Sequence, residues 1–164
     1  MFAACDVGVK YDVLKYNELI KNNNVDVIVW GIRGHAKAIR NPEMFGWIEE
    51  DNNIIKNISV KKSLKSITKD PIVIGMFTFK KTSYFKNSFS KLLERKGKVN
   101  NEFYLDSCIN DAIRMGLRCC LFEIDHFFPW GTPDELKTFK YWQSCFHKWK
   151  YHDYDIKKDK FFSY

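Results

Sequence analysis

Short apolar runs closed by turn residues alternate along this chain with stretches whose apolar residues recur at helical spacing. That alternation predicts an α/β fold, with a mixed, mostly parallel sheet flanked by helices. Two further observations agree with it. The 164 residues are 45% hydrophobic and 16% aromatic, enough for one substantial core. No segment recurs at a fixed period, which excludes a solenoid. The sequence reads as one domain over residues 1–150, followed by a loosely docked tail over 151–164 that is charged and aromatic without clear period.

Taken in order, Met1 to Cys5 reads as a strand ending at Asp6. Tyr11 to Asn22 carries Val13, Leu14, Leu19 and Ile20 on one side and reads as a helix stopped by Asn22-Asn23-Asn24. Val25 to Ile32 is a short buried strand. Arg33 to Phe45, with Gly34, Pro42 and several basic residues, reads as an irregular loop over a pocket mouth. Gly46–Asp51 and Ile54–Lys62 flank Asn52-Asn53, a hairpin turn because Asn tolerates positive φ. Pro71 to Lys81 returns to a β pattern. Ser83 to Arg95 has Phe85, Phe89, Leu92 and Leu93 at helical spacing, with Gly97 ending the helix. Asp106 opens a helix running to Gly116, and a strand follows across Arg118 to Asp125. In the last helix Thr132 is the N-cap and Pro133 the first residue, while Leu136, Phe139, Trp142, Phe146 and Trp149 form an aromatic face suited to core packing.

Composition excludes several function classes. The net charge of +7 comes from lysines spread through helices and tail, with no recognisable stacking module or basic recognition helix, so no nucleic-acid partner is expected. No apolar run reaches eighteen residues and the first residues do not resemble a signal peptide, so no membrane partner is expected and the location read from sequence is cytoplasmic. Cys5, Cys108, Cys119, Cys120 and Cys145 are odd in number and lack C-x-x-C spacing, which fits buried thiols better than disulfides or zinc. The four histidines show no metal-ligand spacing, and no G-x-S-x-G elbow is present.

Two acidic residues stand where predicted strands end: Asp6 after Phe2–Cys5, and Asp106 after Glu102–Leu105. Ligands of open α/β sheets bind at the carboxyl ends of strands, so both carboxylates are candidates to face one cleft and hold Mg²⁺. Each also has a plainer explanation, Asp106 as the N-cap of the next helix and Asp6 as a turn aspartate. Lys61 and Lys62 end a predicted strand and suit a phosphate if they face that cleft, or solvent if they do not.

Several short motifs, in order, resemble the sugar-phosphate nucleotidylyltransferase family. Ala3–Asp6 is similar to the family strand ending in its first metal aspartate, and Glu102–Ser107 to the segment holding the second. Phe128–Leu136 resembles the closing Gly-Thr-Pro motif. Phe45-Gly46-Trp47-Ile48 is similar to the glycine-bearing turn near the sugar, and Val73–Phe77 to the strand whose glycine, Gly75 here, lines the sugar pocket. Ser59–Ser63 falls where the family has Glu-Lys-Pro, with Lys61 in place of the glutamate and Ser63 in place of the proline.

The resemblance implies an incomplete nucleotide-diphospho-sugar transferase (GT-A-like) fold. It implies Mg²⁺ on Asp6 and Asp106, Lys62 as the catalytic lysine on the sugar-bound phosphate, and Gly46, Lys61, Lys62 and Gly75 in substrate binding. The substrates implied are a sugar 1-phosphate and a nucleoside triphosphate, in nucleotide-sugar or surface-polysaccharide synthesis. The family's N-terminal glycine-rich nucleotide loop has no counterpart in this sequence. The expectation is therefore an enzyme incomplete as a lone chain, completed by a separate N-terminal half or a homo-oligomer. The alternative is a non-catalytic sugar-phosphate-binding or regulatory remnant. Asp6 is expected to face Asp106, and Met1–Cys5 to be a strand with an incompletely covered side.

Overall fold

The computed structural model describes residues 1–149 and Lys158. In chain order the elements are β1 (Phe2–Ala3), β2 (Val7–Lys10), α1 (Val13–Lys21), β3 (Val27–Ile32), α2 (Ala36–Arg40), a 3₁₀ turn (Pro42–Met44), β4 (Gly46–Asp51), β5 (Ile54–Val60), β6 (Ile72–Phe79), α3 (Thr82–Glu94), α4 (Leu105–Arg114), β7 (Cys119–Glu123), β8 (His126–Pro129) and α5 (Pro133–Lys148). They fall into two compact units. The first comprises Met1–Cys5 and Val9–Phe127; the second comprises Asp6–Gly8 and the chain from Phe128 onward.

The first unit is built on a six-stranded sheet in the order β1-β6-β3-β7-β5-β4, with β4 also reaching β6 through Trp47 and Ile72. The sheet is mixed, as expected, but not mostly parallel: β3 and β7 form a parallel pair, while β1–β6, β3–β6, β4–β5, β4–β6 and β5–β7 are antiparallel. Parallel neighbours need a long crossover, usually helical. Only Asn52-Asn53 separates β4 from β5, so that pair returns antiparallel, while β6 is antiparallel to both β3 and β4 and therefore runs in the same direction as β5, with which it does not pair. Both asparagines take positive φ, 51° and 64°, as the hairpin requires.

Alternation along β3 sorts its side chains to the two faces. Val27 and Val29 join Phe77, Phe79, Leu92, Cys108, Ile109 and Ala112 in the main core, beneath α3 and α4. Trp30 faces the other way, ringed by Tyr11, Tyr16 and Phe122, and its indole N–H donates to Thr78 Oγ1 at 3.2 Å. Each large side chain fully removed from water contributes roughly 1.5–3 kcal/mol. A bidentate ion pair ties α3 to α4: Arg95 donates through Nε and Nη2 to the two carboxylate oxygens of buried Asp111, at 2.7 and 2.8 Å.

Several local expectations need correction. Met1–Cys5 contributes only a two-residue strand at the sheet edge, and Asp6 lies in the following turn. On α1, Val13 and Leu14 are exposed and Tyr16 makes the ring contacts. Arg33 to Phe45 is not irregular throughout, because Ala36-Lys-Ala-Ile-Arg40 are good helix formers and Pro42 starts the 3₁₀ turn. Ala38 is buried there against Trp47 and Ile72. After α3 the left-handed residue is Lys96, at φ 52°; Gly97 is the next residue, and its N–H closes the turn onto Leu92 O at 3.0 Å.

In the second unit α5 starts as expected, with a reciprocal capping box between Thr132 and Glu135 and Pro133 in the first turn. Its aromatic face is not core: no residue of α5 is buried, and Trp142 and Trp149 are 53% and 57% exposed. Its N-terminal cap and the ring contact of Phe139 on Trp130, at 5.1 Å, account for the helix locally. Among the described residues no helix is long and apolar enough to cross a membrane. The tail expected over 151–164 lies outside the described residues, apart from Lys158.

Candidate functional site

The first unit gathers Gly46, Lys61, Tyr104 and Asp106. Asp106 is neither the end of a strand nor an N-cap. Val99 and Glu102 form only an isolated bridge, Tyr104 is the extended N-cap residue of α4, and Asp106 lies in the first helical turn. A carboxylate is favoured there by the helix dipole. Burial nevertheless dominates: desolvation raises the Asp106 pKa from 3.8 to about 6, against the lowering pull of its own backbone N–H and of Lys61.

Gly46, the first residue of β4, explains how that carboxylate fits. A Cβ on Gly46 would overlap Asp106 Oδ2, stand 3.2 Å from its Cγ and lie 3.5 Å from Val73 Cγ2. Gly46 is not among the residues with positive φ, so close approach and not backbone conformation demands glycine here.

Lys61 follows β5 at φ 60°, a conformation few non-glycine residues adopt. Its N–H donates to Phe45 O at 3.1 Å and its Nζ to Met44 O at 2.7 Å. The ammonium also stands 5.4 Å from the centre of the Tyr104 ring, within cation–π range. The Tyr104 hydroxyl donates to Glu102 Oε2, and that hydrogen bond, with desolvation and the charges of Glu102 and Asp106, raises its pKa. Lys62 is exposed, and its carbonyl accepts from Ser59 Oγ at 2.6 Å.

Gly75 lies in β6 at φ 78°, its carbonyl accepting from Ala4 N at 3.0 Å, and the β3–β6 register shifts in the same stretch. In the second unit the Asp6 carbonyl accepts from Trp130 N at 2.8 Å. A Cβ on Gly131 would come within 2.7 Å of Asp6 Oδ2, so this aspartate also presses against a glycine.

Sequence reasoning did not find Tyr104 or Glu102, whose part depends on where Lys61 turns. It also missed a cleft of about 480 Å³ lined by Arg33, Glu49, Glu50, Ser63, Lys65 and Asp70, among others. Arg33, directly after β3, is held there by Glu50 at 3.0 Å, Glu123 at 3.1 Å and Lys69 O at 2.7 Å. Burial works to lower its pKa, and the two carboxylates more than offset that, raising it. With its donors so engaged, Arg33 staples the ends of three strands. All five cysteines are free, and burial pushes the Cys108 and Cys119 thiols up to about 12, which makes them inert.

Among the described residues no group of three or more His, Cys, Asp or Glu side chains is arranged to hold a metal. That leaves room for Mg²⁺, which is commonly held by one or two carboxylates with water and substrate phosphate completing its shell. A desolvated carboxylate against an unobstructed glycine backbone suits such a cation at Asp106.

No protein-family model matches the chain, and no curated protein sequence does. Solved structures do match its fold. A nucleoside-diphosphate-sugar pyrophosphorylase from Vibrio cholerae RC9 aligns at a TM-score of 0.63 and 13% identity, covering 82% of this chain and 52% of the other. A Bacillus anthracis structure assigned as a glucose-1-phosphate thymidylyltransferase, in complex with a sucrose, aligns at a TM-score of 0.56 and 21% identity, covering 81% of this chain and 49% of the other. The chain thus has a sugar-nucleotidyltransferase-like fold and spans about half the length of the structures it matches.

Proposed function

We propose that this chain forms the sugar-phosphate side of a Mg²⁺-dependent sugar-phosphate nucleotidylyltransferase of GT-A-like architecture. A sugar 1-phosphate oxygen would attack the α-phosphorus of a nucleoside triphosphate and pyrophosphate would leave. The observation that carries this reading is the gathering of Gly46, Lys61 and Asp106 within a fold shared with two structures named for sugar-nucleotide chemistry. Nucleotidyl transfer asks little of side chains beyond alignment and charge compensation.

Asp106 in the first unit is the carboxylate we assign to Mg²⁺, and Asp6 carries the same assignment in the second. When bound, the ion would neutralise charge on phosphate oxygens. Gly46 would keep the Asp106 carboxylate reachable, a lysine after β5 would steady the sugar-bound phosphate, and Gly75 would shape the sugar side of the pocket. Nucleotide-sugar synthesis for a surface polysaccharide, in the cytoplasm, is the setting we propose.

The test is calorimetric titration of the purified chain with sugar 1-phosphates in the presence of MgCl₂, together with pyrophosphate release from a panel of nucleoside triphosphates. Binding that weakens in D106N and D6N is the expected result. Failure to bind any sugar 1-phosphate would end this reading. The length relative to the matched structures favours a second reading, a sugar-phosphate-binding half completed by a separate polypeptide segment. That reading expects binding without turnover, and turnover by the pure chain would overturn it.

A further inference from the structure

We propose that Lys61, and not Lys62, is the cationic contact for the phosphate of the substrate; this rests on the sugar-phosphate reading above. The family resemblance points to Lys62, but the backbone reverses the two. In an extended strand successive side chains point to opposite faces. The left-handed φ of 60° at Lys61 breaks that alternation where β5 ends. The Lys61 side chain is thereby folded back over Tyr104 and onto Met44 O, within electrostatic reach of the Asp106 carboxylate. Lys62 is left on the exposed limb of the turn that Ser59 Oγ closes.

Three features suit Lys61 to an anion. An ammonium has three donors, and Met44 O accounts for one. The face of the Tyr104 ring limits where the side chain can go without neutralising it. Asp106, the assigned cation ligand, lies within electrostatic reach of Lys61, so an arriving phosphate would meet the ammonium together with a cation that would offset the adverse charge of the carboxylate. Glycine suits that left-handed conformation better than lysine, so K61G removes the side chain without straining the backbone.

The experiment is calorimetric titration of wild type, K61Q, K61G, K61R and K62Q with inorganic phosphate and with sugar 1-phosphates, MgCl₂ present, alongside thermal melts. The expected result is about a tenfold or greater loss of affinity for both ligands in K61Q and K61G. K61R should retain part of it, K62Q should stay within about twofold of wild type, and K61G should melt no lower than K61Q. Loss in K62Q with retention in K61Q overturns the assignment to Lys61 and leaves the functional reading standing. Phosphate binding that depends on Lys61 while no sugar 1-phosphate binds keeps the anion contact and ends the functional reading. No binding of either ligand to wild type overturns both.

Discussion

Placing a methyl group on Gly46 tests the geometry of the site without removing any charge. In G46A the new Cβ would overlap Asp106 Oδ2 and stand 3.2 Å from Cγ, where carbon contacts settle at about 3.5–4 Å. The carboxylate must therefore withdraw by about 1 Å, and with Val73 Cγ2 3.5 Å from the same point the methyl has no easy retreat. Overpacking of this kind costs about 1–3 kcal/mol. The opposing term is the lower chain entropy of alanine, about 0.5–1 kcal/mol, available because φ is not positive here. The expected net destabilisation is about 0.5–2 kcal/mol, a fall in Tm of roughly 1–8 °C for a domain of this size. Thermal or urea melts of wild type, G46A, D106A and G46A/D106A form a double-mutant cycle. Removal of the carboxylate should abolish the penalty and leave only the entropic gain, so G46A should be neutral or stabilising in the D106A background. An equal loss in both backgrounds would refute the claim that the carboxylate is what excludes a side chain from residue 46.

Ionisation of Asp106 and the backbone at Lys96 give two further predictions. Because burial holds Asp106 at about 6 in the folded chain against an ordinary 3.8, its protonated form is the one folding favours. Its contribution is fully present below about pH 3.8 and lost as pH rises through about 6, amounting to at most about 3 kcal/mol; D106N should flatten that part of a stability-against-pH curve measured by urea unfolding. At the end of α3, K96G should stabilise by about 0.5–1 kcal/mol in the same assay, since Lys96 occupies at φ 52° the place that Gly116 occupies at φ 81° after α4.

The features legible in the sequence are those whose period or turn chemistry is local. The β3 run, the Asn52-Asn53 hairpin, β6 and the helices α3 and α4 all announce themselves by alternation, 3.6-residue spacing or asparagine at a turn. β8 did not, because His126–Pro129 is only four residues, none of them buried, and ends in proline. Strand direction was misjudged for a different reason: pairing is a tertiary choice, and an apolar run reads the same in either direction. At the site, sequence supplied Gly46, Lys61 and Asp106 as candidates but not their meeting, which depends on the first turn of α4 lying against the start of β4. Nor could it choose between Lys61 and Lys62. One residue in the left-handed region decides that, and lysine gives no signal of adopting it.

What unites the two proposed metal carboxylates is the absence of a side chain beside each. Gly46 stands against Asp106 in the first unit and Gly131 against Asp6 in the second, and neither glycine is among those with positive φ. A glycine required for its backbone conformation would show it in φ, as Gly34, Gly75 and Gly116 do. Here the backbone is one that alanine could also adopt, and the nearest obstacle to a methyl group is in each case a carboxylate oxygen. Steric room for the aspartate is thus the property these two glycines provide. It is also what a carboxylate needs if it is to stay close to the backbone yet remain available to a cation.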